Sequence, residues 1–325
     1  MHRSDSRGFW RERVGGADLM SGPKLLRFDV TRALESETPQ SVATWLFLPP
    51  RDRIGRNTRL IVCLPGGTYD KRYYHLEIPD HPGYSMAAHL AQAGHVVLSV
   101  DHWGVGESTR PARAADITPE RVAAANHAVT VEALHRLRVG TLDPRLAPIV
   151  GALSVGVGHS MGGMLTVLQQ AEHRSHAQVA ILGKSMLRID RTDFLGEGKN
   201  AGRIDYGDYY LPDRANLRRA FYWEDVPVAV IAADTAAQVA TPGMLVARTN
   251  ASDVATEAAA RIDVPVFLGI GERDTAPQPH DEPRYYPECP DITLFVLPRS
   301  AHCHNFASTR ERLWDRLLAW IPTVV

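Results

Sequence analysis

Ser154-Val155-Gly156-Val157-Gly158-His159-Ser160-Met161-Gly162-Gly163-Met164-Leu165 is the stretch whose reading decides the fold of this 325-residue chain. A short apolar run leads into G-x-S-x-G and then into an apolar helical pattern over Met161–His173. A strand that enters a helix through so tight a turn leaves its serine exposed at the carboxyl edge of the sheet. The flanking glycines are needed because a Cβ there would strike the neighbouring strand or helix. Ser160 is therefore the candidate nucleophile. The same residues also offer a glycine-rich nucleotide loop. That motif would need glycine where Met161 stands and an acid about 20 residues later, where Val179 and Ala180 fall. The dinucleotide reading is the weaker one.

Working outward, short β-branched runs alternate with glycine- or proline-marked turns and helical patterns, which predicts an α/β chain with a mostly parallel sheet. Eight strands are expected, at Lys24–Thr31, Ser41–Leu48, Leu60–Leu64, Val96–Val100, Ser154–Gly158, Gln178–Leu182, Val264–Ile270 and Ile292–Leu297. The first two read as an antiparallel edge hairpin. The central runs are almost continuously apolar, as strands covered on both faces must be. Helices are expected at Tyr84–Ala93, Pro119–Leu137, Met161–His173 and Thr309–Ile321. Between Leu182 and Val264 lie roughly 80 residues, far more than a crossover needs. Residues 185–258 are read as an inserted helical lid, with 23–184 and 259–325 as the core and 1–22 as a flexible N-terminal segment. Within the insertion, VPVAVIAADTAAQVA could be a strand. A helix is preferred, with Asp225 as its N-cap, Pro227 in its first turn and alanines favouring it.

A serine hydroxyl is a weak nucleophile until a base takes its proton and a third group fixes that base in one tautomer. After the insertion, VPVFLGI runs into Gly271-Glu272-Arg273-Asp274 and ITLFVLP runs into Arg299-Ser300-Ala301-His302. Asp274 and His302 thus fall in loops at the ends of consecutive strands, in the order serine, acid, histidine.

LPGGTYD after the third strand, DHWGVGES after the fourth, GHSMGG, GERD and the late SAHCHNF together resemble the α/β-hydrolase family in content and order. The resemblance covers nearly all of the chain after the first forty residues and is specific to the fold, not to a substrate. It implies a serine–histidine–aspartate triad of Ser160, His302 and Asp274. It also implies an oxyanion hole formed by the backbone N–H of Met161 and one from the Gly67–Thr68 turn. Such preset donors contribute about 3 kcal/mol each to the transition state. Gly66 and Gly67 allow that approach. Pro65 stands where many relatives carry histidine and has no N–H of its own.

Competing assignments stay in view. His304 lies two residues from His302, which is favoured as base by the small Ala301 before it. His302, Cys303 and His304 could be metal ligands, but no further partners stand at ligand spacing. Glu272, Asp263 and Asp281 compete with Asp274, and the loop one strand earlier, Gly183-Lys184-Ser185-Met186, has no carboxylate. Asp101 and Glu107 read as braces of the loop after the fourth strand.

Nine of the ten tyrosines fall in segments expected at the active-site edge. Tyr69, His159, Tyr209, Phe221 and Trp223 are the candidate substrate contacts, forming an aromatic wall for a bulky apolar or aromatic group. Arg214, Arg218 and Arg219 read as a solvated helix face or as partners for a substrate carboxylate or phosphate.

Lys+Arg 36 against Asp+Glu 37 gives a net charge of −1, which argues against nucleic acid or an anionic membrane as partner. Three cysteines are too few and scattered for a disulfide framework, and no uninterrupted apolar run of about 18 residues suggests a membrane span. The sequence is read as a cytoplasmic enzyme that needs no cofactor and no metal. It is expected to act on a small ester-type molecule, and a homodimer is one option for its assembly. Ester or thioester hydrolysis through an acyl-serine leads the expectations. Acyl transfer or C–C bond hydrolysis on the same residues follows, and a non-catalytic binding relative comes last.

Overall fold

Eight strands hydrogen-bond side by side in the order β1-β2-β4-β3-β5-β6-β9-β10. They are β1 (Lys24–Asp29), β2 (Ser41–Phe47), β3 (Arg59–Leu64), β4 (Val96–Val100), β5 (Leu153–His159), β6 (Gln178–Leu182), β9 (Val266–Gly271) and β10 (Ile292–Leu297). β7 (Tyr209–Tyr210) and β8 (Thr241–Pro242) make a separate two-residue antiparallel pair. This computed structural model describes residues 22–186, 206–249 and 252–323. The N-terminal segment read as flexible therefore lies outside the described residues except for Gly22, as do 187–205 and 250–251 of the insertion.

β1 and β2 pair antiparallel, as does β2 with β4, and every other pairing in the sheet is parallel. All eight expected strands are present, three with the expected ends and the others shifted by one or two residues. Period-two alternation splits β3 between two cores. Leu60, Val62 and Leu64 pack on one face with α2 (Pro119–Val139) and α3 (Met161–His173), while Ile61 and Cys63 pack on the other. The second face is covered by α1 (Met86–Gln92) and by the closing helix Arg310–Trp320, whose Trp314 and Leu317 are buried there. Covering both faces is what makes β3, β4, β6 and β9 buried along their whole length. Each fully buried aliphatic side chain contributes about 1.5–3 kcal/mol.

The chain between β6 and β9 carries α4 (Arg218–Phe221), α5 (Val228–Ala236), α6 (Gly243–Thr249) and α7 (Ser252–Ala259), so the closing helix is α8. The alanine-rich stretch is indeed a helix, but Asp225 is not its cap. Pro227 occupies that position, and the Asp225 carboxylate instead accepts from Ser308 Oγ at 2.8 Å and sits 3.8 Å from Arg299. A partner across the fold outcompetes the local amides.

The loop after β4 is tied down by a buried ion pair. Asp101 accepts from Lys71 Nζ at 2.7 Å and from the Lys71 and Glu107 amides at 2.8 Å each. His176, packed against Gly156 of β5, has no hydrogen-bond partner on either ring nitrogen among the described residues, and burial pushes it down to about 3. An unfolded histidine titrates near 6.5. As pH falls below that value the unfolded chain takes up a proton that the native state refuses, so this stability is present above pH 6.5 and is lost on acidification. His176→Leu should therefore gain on the wild type by about 1.4 kcal/mol per pH unit between pH 6 and 4.5. Urea midpoints across that range check it, and a pH-independent gap would refute the neutral buried state.

Candidate active site

β5 ends at His159, and α3 begins at Met161, leaving Ser160 alone in the turn with φ 55° and ψ −117°. That backbone is strained for a residue with a Cβ and is held by Ser160 N donating to Leu182 O at 2.8 Å. The glycines are required by distance. A Cβ on Gly158 would lie 2.2 Å from Gly162 O, and one on Gly162 would lie 2.0 Å from Leu64 O.

The sheet register brings the other pieces to this point. Leu64 pairs with Gly158, so the turn after β3 lies beside Ser160, and a Cβ on Gly66 would stand 3.1 Å from the serine Cβ. Gly269 pairs with Leu182, and β10 pairs with β9, so the loops carrying Asp274 and His302 open at the same edge. There, Ser160 Oγ lies 3.0 Å from His302 Nε2, and His302 Nδ1 lies 2.7 Å from Asp274 Oδ1. The carboxylate can only accept, so Nδ1 carries the proton and Nε2 offers its lone pair to the serine hydroxyl.

Asp274 is saturated. Oδ1 also accepts from the Thr275 amide at 2.6 Å, while Oδ2 accepts from His304 Nε2 at 2.6 Å and from the Gly271 amide at 2.9 Å. Burial alone would raise this carboxyl, but the adjoining His302 and His304 outweigh it and hold it well below the usual carboxylate range. The two histidines weighed as rivals thus share one acid. Only His302 reaches Ser160, and His304 Nδ1 has no partner among the described residues. Cys303, between them, turns its Sγ to Tyr69 Oη at 3.2 Å, so the three side chains do not converge on one point. The loop one strand earlier passes as a bare glycine: a Cβ on Gly183 (φ 58°) would lie 3.2 Å from His302 Nδ1 and 3.3 Å from Asp274 Oδ2.

Of the two amides left open after β3, Thr68 N is engaged, donating to Thr241 Oγ1 at 2.6 Å. The Gly67 and Met161 amides have no acceptor among the described residues, and a Cβ on Gly67 would lie 3.9 Å from Met161 Sδ. Gly67 with Met161 is the pair available to an oxyanion. His102 steadies that turn by donating from Nε2 to Pro65 O at 2.9 Å, and burial pushes its ring down to about 4. His102 lies in the quoted DHWGVGES motif, yet nothing in its spacing announces this role. Thr241 has no sequence signal at all.

The five candidate substrate contacts separate. Phe221 sits with its ring centre 5.4 Å from that of His302. His159 is 1% exposed, donates from Nε2 to the His302 carbonyl at 2.8 Å and stacks on Tyr73, so it supports the His302 loop from within the core. Tyr69 is also buried, with its hydroxyl on Asp234 at 3.0 Å. Tyr209 bonds Gly104 O at 3.3 Å under Arg110, and Arg273 covers the Trp223 ring. Of the five, Tyr69, His159 and Phe221 are buried, while Tyr209 and Trp223 are half-buried.

The insertion is hydrogen-bonded into the site on both sides. Besides Thr241, Val239 N donates to Thr68 O at 3.1 Å, and the His302 and Cys303 amides donate to the Ala220 and Phe221 carbonyls at 3.0 Å each.

A sheet of this order, with a strained serine at its switch point, defines a class of protein, and comparison with known proteins agrees. The family model described as "Alpha/beta hydrolase family" matches residues 61–316. The chain belongs to the α/β-hydrolase family. Among solved structures, a soluble variant of monoglyceride lipase from Saccharomyces cerevisiae is similar at TM-score 0.66 and 12% identity, over 94% of this chain and 96% of that one. Proline iminopeptidase of Mycobacterium smegmatis is similar at TM-score 0.58 and 21% identity, over 87% and 95%. A thermophilic esterase from Thermogutta terrifontis is similar at TM-score 0.58 and 15% identity, over 92% and 99%. At these identities the likeness speaks for the fold. No curated protein sequence matches this chain. Among the described residues, no helix is long and apolar enough to cross a membrane.

His302→Ala is expected to lower turnover about a thousandfold or more, since members of such a unit act together. His304→Ala should cost at most about a hundredfold, the worth of one charge-assisted hydrogen bond. Steady-state rates on one ester check the order, and a larger loss in His304→Ala would reassign the base.

Proposed function

We propose that this protein hydrolyses a carboxylic ester or thioester through an acyl-Ser160 intermediate. The observation that carries the reading is the serine hydroxyl 3.0 Å from a histidine nitrogen whose opposite nitrogen is held on a buried carboxylate. Ser160 Oγ attacks the carbonyl carbon while His302 Nε2 takes its proton, and Asp274 stabilises the resulting imidazolium. The carbonyl oxygen, now negative, is met by the Gly67 and Met161 amides. The tetrahedral adduct collapses as His302 returns the proton to the leaving alcohol or thiol, and water then releases the acid by the same route. Every step uses protein groups and water alone.

Exposure to a fluorophosphonate should add one phosphonyl group to the intact protein, read by mass spectrometry. Ser160→Ala should show no such addition and no hydrolysis of p-nitrophenyl acetate. Labelling at full rate in that variant would sink the assignment.

We further infer that the insertion read as residues 185–258 acts as a lid that selects the substrate. Phe221, whose ring touches His302, supports this reading. Phe221→Ala should cost a bulky ester roughly 1–3 kcal/mol in kcat/KM relative to an acetate ester. Equal losses on both substrates would place Phe221 in the support of His302 instead.

A further inference from the structure

Three lid arginines stand close in sequence, yet only Arg218 and Arg219 are exposed. Arg214 is 3% exposed. Its guanidinium carbon lies 4.6 Å from the centre of the Tyr69 ring and 4.9 Å from that of Phe221. Its Nε is 3.8 Å from Asp234 Oδ2, too far for a hydrogen bond. That oxygen already accepts the hydroxyls of Tyr69 and Tyr222. Nε, Nη1 and Nη2 of Arg214 all have no hydrogen-bond partner among the described residues.

Two other arginines that face a buried aspartate close the pair. Arg72 grips Asp70 at 2.8–2.9 Å, and Arg145 reaches Asp143 at 2.9 Å. An arginine kept only to neutralise Asp234 would do the same. Arg214 instead buries a permanently charged fork with its donors unspent, which is costly unless an acceptor joins it. The two rings that flank it belong to the candidate active site. Tyr69 directly follows the turn of Gly67 and Thr68, and Phe221 touches His302.

We propose that Arg214 anchors a carboxylate carried by the substrate, so that the preferred ester bears a second, anionic end. This rests on the reading of Ser160 as nucleophile. The planar fork matches a carboxylate through two parallel N–H bonds, and Asp234 keeps the cation in place without occupying those donors.

The test compares monoethyl succinate, glutarate and adipate with ethyl butyrate, valerate and hexanoate. A second pair, 4-acetoxybutyrate and butyl acetate, carries the charge on the alcohol side. At least one anionic ester should be preferred over its neutral match. In Arg214→Met the kcat/KM ratio of that pair should fall about 30-fold or more. Arg214→Lys, which keeps charge and loses the fork, should fall between. Because Arg214→Met leaves Asp234 without its cation, Arg214→Met with Asp234→Asn is run beside it. A wild type indifferent to the carboxylate, or a ratio unchanged in all three variants, overturns the proposal. Binding is read separately by the rise in Tm with glutarate and with inorganic phosphate. A glutarate effect lost in Arg214→Met supports the carboxylate site even if Ser160 proves unreactive, a result that would sink the hydrolase reading alone. A response to phosphate only, or an equal response in the variants, counts against the carboxylate site.

Discussion

The first turn of α3 crosses the end of β3 so closely that the carbonyl of Leu64 occupies the space where a side chain on Gly162 would begin. Everything at the carboxyl edge follows from that contact. It requires glycine at 162, the same turn requires glycine at 158, where a Cβ would meet Gly162 O, and Ser160 between them takes positive φ. Strain of this kind persists only where surrounding bonds over-determine it. Here they are the parallel ladder from β3 to β6 and the Ser160 amide bond to Leu182.

Electrostatics at the edge are equally constrained. A carboxylate as deeply buried as Asp274 is tolerable because four donors meet it, two from backbone and two from imidazoles. With its acceptors filled, it fixes which nitrogen of His302 carries the proton. His159 supports the same loop from behind as a neutral ring, kept so chiefly by burial and then by the neighbouring histidines.

Much of this was legible in the sequence because it is written locally. Apolar runs marked all eight strands, and G-H-S-M-G stated its own turn. Asp274 and His302 stood where strands end, and the fold brings His302 to Ser160 and Asp274 to the far side of the His302 ring. What stayed hidden depends on contacts between distant segments. Asp225 looked like a cap until Ser308 and Arg299 were seen beside it. Thr68 and Gly67 were equivalent until Thr241 took one amide. Tyr69 and His159 had the composition of a binding wall, but depth below the surface is not encoded in residue type. Arg214 differed from Arg218 and Arg219 only through the packing of Tyr69 and Phe221.

The three backbone bonds and the one Thr241 hydroxyl bond between the insertion and the loops bearing Thr68 and His302 bear on how such a protein could change over generations. An insertion attached only at its two ends could be exchanged between relatives like a cassette, leaving the reacting groups untouched. This one cannot. The carbonyls of Ala220 and Phe221 accept from the chain at His302 and Cys303, and Thr241 holds the turn beside Gly67. A transplanted segment would have to bring acceptors and donors at the same places, or the backbone at His302 and at Gly67–Thr68 would drift. The insertion and the loops it is bonded to are therefore inherited together, and variation in this region is channelled into side chains while the backbone path is kept.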